Sequence, residues 1–448
     1  MPYNTAHPDY TKALERYKLI RAIISNDAQC YIRRPDVQDE LRNERYREDA
    51  ILTNFTALTC EAFVGLVFSK KLTLSLPPEL SYLMDDTTGS GINIWQFAQS
   101  SVSELLQVGR NGLLVDYDND AQKAFIKPYR AEAIINWKTG SVNGYVQPWL
   151  IVLEEQIIVD DEDIFSQDTA LQYRVLILED GVYKQYVYNS NGDEISGYIP
   201  LDYNGRSFDY IPFVFIGSVN NDADVDKEPL YDMAVLNLGH YRNSADYEES
   251  IWINGQPYLV INVGEANAEE FAAANPNGVQ YGSRKGLVLA SGGSANLLQA
   301  NPNQLVAQAM NEKLIQASKT GARLIEESGG RETAEAARIR YASQHSVLYT
   351  LTSNASWGIE DAIKIVARYM GVNEDIVKFK LNDQFYDESA DGNVMNSYTA
   401  WFDRGIISAD DMREYGKKVG LLNSENTDDV ISTELRELPQ LNPEDENE

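Results

Sequence analysis

The side chains that do chemistry in proteins are all present here, but their spacing does not build a reactive centre. Asp116, Asp118 and Asp120 alternate as the first ligands of a calcium loop do. Such a loop needs glycine at its sixth position and glutamate at its twelfth. Those positions hold Ala121 and Lys127, so the segment reads as a polar turn. Ser291-Gly292-Gly293-Ser294 has the glycines of a phosphate loop, yet no Gly-Lys-Ser/Thr follows them, and it reads as a surface loop. His7, His240 and His345 are scattered, and Cys30 and Cys60 have no partner at ligand spacing, so no metal is expected. Asp160-Asp161-Glu162-Asp163 reads as a solvated loop. The expectation is no catalytic, cofactor-binding or metal-binding residue, and no enzyme. One rival from that class stays open, a carbohydrate- or nucleic-acid-processing enzyme with an acidic cleft. It would need two carboxylates held at a defined separation, and loss of turnover on replacing such a pair would reveal it.

The pattern that remains is mechanical and electrostatic. A helical stretch runs from Asn303 to Glu327, pauses at Ser328-Gly329-Gly330, and resumes from Arg331 to Gly371. Val306, Met310, Leu314, Ala317, Gly321 and Leu324 make one apolar stripe; Ala334, Ala337, Tyr341, Leu348, Leu351 and Ala355 make the other. Lys313, Lys319, Arg323 and Arg331 put positive charge on this pair, close to balance with Glu312, Glu326, Glu327 and Glu332. The two glycines permit backbone conformations that other residues resist. By themselves they fit an ordinary interhelical turn, and the bases fit intrahelical pairs.

Composition sets the wider frame. The chain has 448 residues, enough for two or three domains, and a formal net charge of -30. That excess repels polyanions and argues against a tight, unspecific grip on DNA, without excluding a wall that DNA slides past. The acidity peaks between Leu421 and Glu448, where nine acids face the single base Arg436; this tail reads as disordered. No apolar run reaches the ~18 residues of a membrane span, and the first residues do not form a secretory signal. Two cysteines make a disulfide framework improbable and fit a reducing compartment.

These patterns need elements to position them. The N-terminal part reads helical, with Leu14, Tyr17, Arg21 and Ile24 on one face, then a break at Arg33-Arg34-Pro35 and a longer helix over 39–68 carrying Ala50, Leu58, Ala62 and Val64. Ile94, Ala98, Val102 and Leu105 define a further helix ending at Gly109. Short strands follow at Gly112–Tyr117, Ile134–Trp137, Trp149–Leu153, Tyr173–Leu178 and Tyr183–Tyr188, with a hairpin turn at Asn189–Asp193, and they read as one antiparallel meander ending at Ile211–Phe215. Leu230, Ala234, Leu238, Tyr241 and Ala245 then form one face of a helix ending near Trp252. A Gly/Asn/Ser-rich insertion follows, with strands at Tyr258–Ile261 and Gly286–Leu289, and it leads into the hinged helices. A strand at Val377–Leu381 precedes short terminal helices. The class is α+β: a helix leads out of the body, a small module sits at its tip, and a second helix leads back.

That order resembles the portal protein of tailed bacteriophages, and most closely a portal-like group catalogued as a phage family of unknown function. The residues that carry the likeness are Gly109-Arg110-Asn111-Gly112-Leu113-Leu114-Val115-Asp116, Ile134–Trp137, Tyr173-Arg174-Val175-Leu176, Ile211-Pro212-Phe213-Val214-Phe215, Pro229-Leu230-Tyr231-Asp232, His240-Tyr241-Arg242, Gly255-Gln256-Pro257 and Gly405-Ile406-Ile407-Ser408. It spans roughly Tyr10 to Glu437 and rests on order and spacing rather than on one motif.

The resemblance implies a phage portal fold with a helical/β wing, a two-helix stem, a small α/β clip and a short helical crown. The implied boundaries are 1–227 wing, 228–253 first stem helix, 254–301 clip, 302–327 second stem helix, 328–332 tunnel loop, 333–371 long helix, 372–392 wing strand, and 393–448 crown and acidic tail. It implies a homo-oligomeric ring, usually dodecameric, at one capsid vertex of a virion assembled in the host cytoplasm. Its roles would be genome packaging, head-tail joining and DNA ejection. Implied partners are the terminase large subunit, a head-tail adaptor, the major capsid protein, a scaffold, and double-stranded DNA in weak non-specific contact, with no membrane and no cofactor. The loop facing DNA would be Ser328, Gly329, Gly330, Arg331 and Glu332, and the lumen-lining stem bases Lys313, Lys319 and Arg323. The alternative within the same class is another phage structural component of tail or baseplate, which predicts a trimer, hexamer or filament instead of a ring.

Overall fold

Polar side chains at the helix starts set where the elements begin. The computed structural model describes residues 3–33, 35, 39–142, 144–158, 165, 167–255, 258–264, 268–277, 279, 289, 291–298, 304–321, 334–383, 385 and 392–418. Helix α1 (Pro8–Ile24) starts with proline in its first turn, and the His7 ring accepts from Asp9 N at 3.2 Å. Helix α2 (Glu40–Glu48) starts at Asp39, whose carboxylate accepts from Arg42 N, and α3 (Phe55–Val67) starts at Asn54, which accepts from Ala57 N. A short strand β1 (Thr73–Ser75) and a 3-10 turn over Pro78–Met84 lead to α4 (Ile94–Val108). Asn93 caps α4 at one end. Gly109, at φ 74°, ends it in the left-handed region, where a Cβ would also stand 2.6 Å from Lys227 O.

The strands form two main sheets. Strand β2 (Arg110–Asp118) lies between β3 (Lys123–Arg130) and β9 (Phe213–Gly217) in one antiparallel sheet. Strands β4 (Ile134–Val142), β5 (Tyr145–Ile158), β6 (Thr169–Glu179), β7 (Val182–Asn189) and β8 (Glu194–Tyr198) form an antiparallel meander of five. Large side chains pack where the sheets meet. A Cβ on Gly112 would fall 2.1 Å from the Phe213 ring and 2.9 Å from Ile134, so only glycine fits. Beside it the Arg110 guanidinium lies 4.0 Å from the Trp137 ring centre and 4.8 Å from that of Phe215, and it donates to Ala223 O at 2.8 Å. Only 2% of Arg110 is exposed, and burial pushes its guanidinium down to about 10.

Helix α5 (Tyr231–Asn254) leaves this body. A small module follows: β10 (Tyr258–Asn262), α6 (Ala268–Ala274) and β11 (Ser294–Leu298), with β10 and β11 paired antiparallel from Tyr258↔Leu298 to Asn262↔Ser294. Helix α7 (Gln304–Thr320) packs back along α5, and α8 (Ala334–Met370) follows. The C-terminal part of α8 buries Leu348, Leu351, Ala355, Ile359, Ala362 and Val366 at three- and four-residue spacing, against α4 and the β3-β2-β9 sheet. Strand β12 (Lys378–Lys380) returns to pair with β1.

Residues Met1–Asp383 fold as one unit and Gln384–Glu448 as a second. In the second unit, α9 (Gly392–Asp403) ends where Ile406 N donates to Trp401 O at 2.9 Å around Gly405, whose φ is 69°. Helix α10 (Ala409–Lys418) opens with Ser408 and Asp411 capping each other. These are the residues of the expected turn at Gly405–Ser408.

Several expectations need correction. The predicted long helix over 39–68 is two helices. Ile51 N donates to Ser244 Oγ, and Asn237 Nδ2 donates to Thr53 O, so the intervening segment is drawn extended across α5. The buried face of α1 is Ala13, Tyr17, Ile20 and Ile23, one residue out of step with the expected Leu14, Arg21 and Ile24. The predicted single meander is split, because β9 pairs with β2 and not with its neighbours in sequence. Strand β3 was missed: Pro128 in its middle argues against a central strand, and the structure resolves this by placing β3 at the sheet edge. The partner of β10 is Ser294–Leu298, within and beyond the expected loop. Of the predicted strand at Gly286–Leu289, only Leu289 is among the described residues.

Candidate functional site

Asp116, Asp118, His7 and Cys60 are absorbed into structure, while Asp160-Asp161-Glu162-Asp163 lies outside the described residues. Asp116 is buried, accepts from Lys127 Nζ at 3.1 Å and lies 3.5 Å from Gln185 Nε2. Asp118 closes the β2–β3 turn by accepting from Asp120 N and Ala121 N. His7 stacks on Trp137 with ring centres 4.1 Å apart. Burial raises the Cys60 thiol to about 11, out of range of a nucleophile at neutral pH; Cys30 is exposed. Among the described residues no three His, Cys, Asp or Glu side chains are arranged to hold a metal. The side chain of His345 lies outside them.

The arrangement with mechanical consequences is the α5–α7 pair. The N-terminal part of α5 is clamped to the body. Ala234, Leu238, Tyr241 and Ala245 pack against Ile20, Ile23, Ile32 and Tyr46, which realises the stripe read from the sequence. Asn237 accepts from both Thr56 N and Thr56 Oγ1 in a buried contact, Tyr46 OH donates to Asp246 at 2.6 Å, and Arg42 pairs with Glu249 at 2.8 Å. Beyond Glu249 the clamp ends. Trp252 is 71% exposed, Ile251 and the β11 residues Leu297 and Leu298 are also exposed, and Leu305 at the start of α7 is 72% exposed. Ala317 and Gly321 seat α7, the latter beside Met233 and Phe63.

The expected site residues divide into three groups. Lys313 lies in the α5–α7 joint: its stem covers Gly239, and Asn243, with its amide oriented to suit both neighbours, accepts from Lys313 Nζ at 2.9 Å and donates to Gly239 O. Lys319 stands exposed on the last turn of α7. Arg323 and the loop Ser328, Gly329, Gly330, Arg331 and Glu332 lie outside the described residues. His240, read in the sequence only as a scattered histidine and part of the likeness, is buried in this joint with the Phe55 ring edge-on at 6.1 Å and no hydrogen-bond partner for Nδ1 among the described residues. Burial, and then the Lys313 charge, hold its pKa below the usual imidazole value.

A depressed histidine pKa has a signed consequence. The unfolded chain takes up this proton first, so the stability carried by neutral His240 is present above the unfolded pKa and is lost as pH falls below about 6.5. The melting temperature is expected to drop between about pH 7.5 and about 5.5. A His240→Gln chain should lose less over the same interval. Equal losses in the two chains would remove His240 as the cause.

The family described as Domain of unknown function (DUF4055) matches residues 229–370, the stretch from the start of α5 to the end of α8. No curated protein matches the sequence. Solved structures similar to this chain include a chain from the virion of a native gene transfer agent particle, at 12% identity and TM-score 0.44, covering 83% of this chain and 92% of that one. A chain from the neck of the native particle, computed with C12 symmetry, matches at 11% identity and TM-score 0.42, covering 83% and 92%. An HK97 family phage portal protein from Corynebacterium diphtheriae matches at 12% identity and TM-score 0.32, covering 75% of this chain and 96% of that one. The neighbours thus include the class of protein that the sequence resembles.

Proposed function

We propose that this chain is a phage portal subunit. Copies close into a ring, commonly of twelve, around a channel that passes double-stranded DNA during packaging and ejection and joins head to tail. The single observation that carries this reading is the α5–α7 pair with its tip module. Apolar side chains at Ile251, Trp252, Leu297, Leu298 and Leu305 stand in water in one copy, and a two-stranded ribbon such as β10–β11 is marginal alone. Exposed apolar surface of this kind marks association, and a head-to-tail contact repeated with closure gives a ring. In this reading α5 and α7 are the stem, the module between them the clip, the loop after α7 the tunnel loop, and the two-sheet body with β12 the wing. The unit with α9 and α10 is the crown.

The chemistry fits passage better than capture. DNA carries about one negative charge per ~1.7 Å of axis, and a chain of net charge -30 supplies little to hold it. Two unit charges ~10 Å apart in water interact by only ~0.4 kcal/mol before screening, so Lys319 and the bases beyond it would guide rather than bind. The terminase large subunit would supply the motor, since the chain has no Walker motif. The clip is the expected seat for it and later for the adaptor, while scaffold and major capsid protein surround the wing.

Electron-microscope class averages of the purified chain test the proposal. Rings of high cyclic symmetry with an open axis are expected. Trimers, hexamers or filaments would replace it with a tail or baseplate component, and a monomer at high concentration would end both.

A further inference from the structure

We propose that the outer edge of β9 is a main-chain docking site, where an uncharged extended segment of a partner protein adds as an antiparallel strand between α8 and the β4–β5 hairpin. Docking at this edge does not depend on whether copies close into a ring.

Strand β9 stands at the edge of the β3-β2-β9 sheet, so one of its sides has no neighbouring strand among the described residues. The hydrogen bonds at its two ends show which residues turn that way. Val115 N donates to Pro212 O and Ser218 N to Gly109 O, both at 2.9 Å. Pairing residues alternate along an antiparallel ladder. Val214 and Ile216 therefore bond to β2, and Phe213, Phe215 and Gly217 turn outward. Local partners take part of this outer row. Gly217 N donates to Asn221 Oδ1 at 3.3 Å, Gly217 O accepts from Asn354 Nδ2 at 2.9 Å, and Phe213 N donates to Ile211 O at 2.7 Å. Phe213 O, Phe215 N and Phe215 O have no hydrogen-bond partner among the described residues. Phe213 is 6% exposed and Phe215 5%, and unpaired main-chain groups at buried positions are rare in native folds.

This stretch of edge opens onto a cavity of about 510 Å³, within the size range of binding sites. Val146 and Pro148 of the β4–β5 hairpin line one side and Ile365 of α8 another. Two acids and two bases also line it, and they are matched locally. Lys364 lies 2.6 Å from Glu360 and 4.0 Å from Asp361, Arg368 pairs with Glu374, and Asp222 accepts from Asp224 N. Neither base is left to draw an anion. The unmatched groups of β9 are main chain, not charge.

Those groups specify the occupant. A residue set antiparallel opposite Phe215 exchanges two hydrogen bonds with it, and the residue two further along donates to Phe213 O. Three residues of extended chain, about 6.6 Å from first to last, supply all of this. Proline is excluded at both donating positions. The flanking walls set the side chains. Ile216 packs on Gly358 of α8, while Phe213 and Phe215 face β4 across Gly112 and Arg110. An added strand would thus point alternate side chains toward Ile365 and toward Val146 and Pro148. Those surroundings favour small or apolar residues and penalise an unpaired charge. Affinity in such strand addition comes from the main chain, and selectivity from the alternate side chains.

The probe is the capped pentapeptide acetyl-Thr-Val-Thr-Val-Thr-amide, added to the full chain, with amide hydrogen exchange read residue by residue. Saturating peptide should slow exchange at Phe215 on the order of tenfold, while Val214 and Ile216, already bonded to β2, should not change. The same peptide N-methylated at its three central residues cannot donate and should protect nothing. Thr139→Trp, on the exposed rim of the cavity, should fill it and abolish the protection. Val146→Trp, also exposed, serves in its place if the first variant fails to fold. No protection by the peptide, or equal protection by its methylated form, would overturn docking at this edge. Protection of Phe215 that grows with protein concentration alone would give the edge to a second copy of this chain and overturn it too.

Discussion

Replacing Arg174 with alanine is expected to cost about 3–5 kcal/mol, because it strands a buried carboxylate. Arg174 Nε donates to Glu155 Oε1 at 2.6 Å, Nη2 to Oε2 at 3.2 Å, and Nη1 to Gln185 Oε1 at 3.0 Å. Glu155 also accepts from Tyr129 OH on β3 and Gln172 Nε2 on β6, so this group joins the two sheets. Both charged side chains are only 14% exposed. Burial alone would raise the Glu155 carboxyl; the Arg174 hydrogen bond and charge outweigh it and hold the carboxyl below the usual value. The sign of the pH dependence follows. A depressed carboxyl stabilises the fold above its unfolded pKa, and that share is lost as pH falls through the lower folded value. Without Arg174, burial dominates and the carboxyl rises instead. The gap between wild type and variant should therefore be widest near neutrality and narrow toward about pH 4. Denaturant midpoints at an unchanged slope measure it. A gap of constant size across that range would show that the charge is not its source. Changing both Glu155→Gln and Arg174→Met should cost less than Arg174→Ala alone.

How much was legible depended on whether the signal was local. The α5 stripe, the α4 helix with its Gly109 stop and most strands could be read from the chain, because periodicity and capping act within a few residues. The break between α2 and α3 could not, since it is drawn by Ser244 and Asn237, about 190 residues away in the chain. Pairing between β2 and β9 is equally non-local. The same limit governs function. Lys313 is expected in sequence as a lumen-lining stem base, and its packing on Gly239 of α5 is not visible there. Thr73 and Lys380 look unrelated until the β1–β12 register pairs them.

Gly358→Val tests the contact on which α8 depends. Glycine inside a helix normally costs roughly 0.5–1 kcal/mol relative to alanine, so an added side chain would stabilise an exposed position. Here a Cβ would stand 2.5 Å from Ile216 Cγ1 and 2.7 Å from Cδ1, and Ile216 is fully buried in β9. The overlap decides the sign. Valine, branched at Cβ and unable to withdraw, should cost about 3 kcal/mol through overpacking. Alanine should cost less, since the tip of Ile216 can turn aside. Pairing Gly358→Ala with Ile216→Ala removes the two close atoms and leaves Ile216 Cβ at an ordinary 3.5 Å, so the pair should be less destabilised than the sum of its parts by about 1–2 kcal/mol. Strict additivity would mean that α8 does not press on β9 at this point. The consequence reaches beyond stability, because Asn354, one turn earlier, holds Gly217 O and the acidic loop, while Ser356 and Glu360 hold β12. A helix lifted from β9 displaces that loop and β12 together. Gly358→Val should therefore speed amide hydrogen exchange at Phe379 and Leu381, which donate to Glu360 and Ser356, more than a loss of equal stability at Arg174 does.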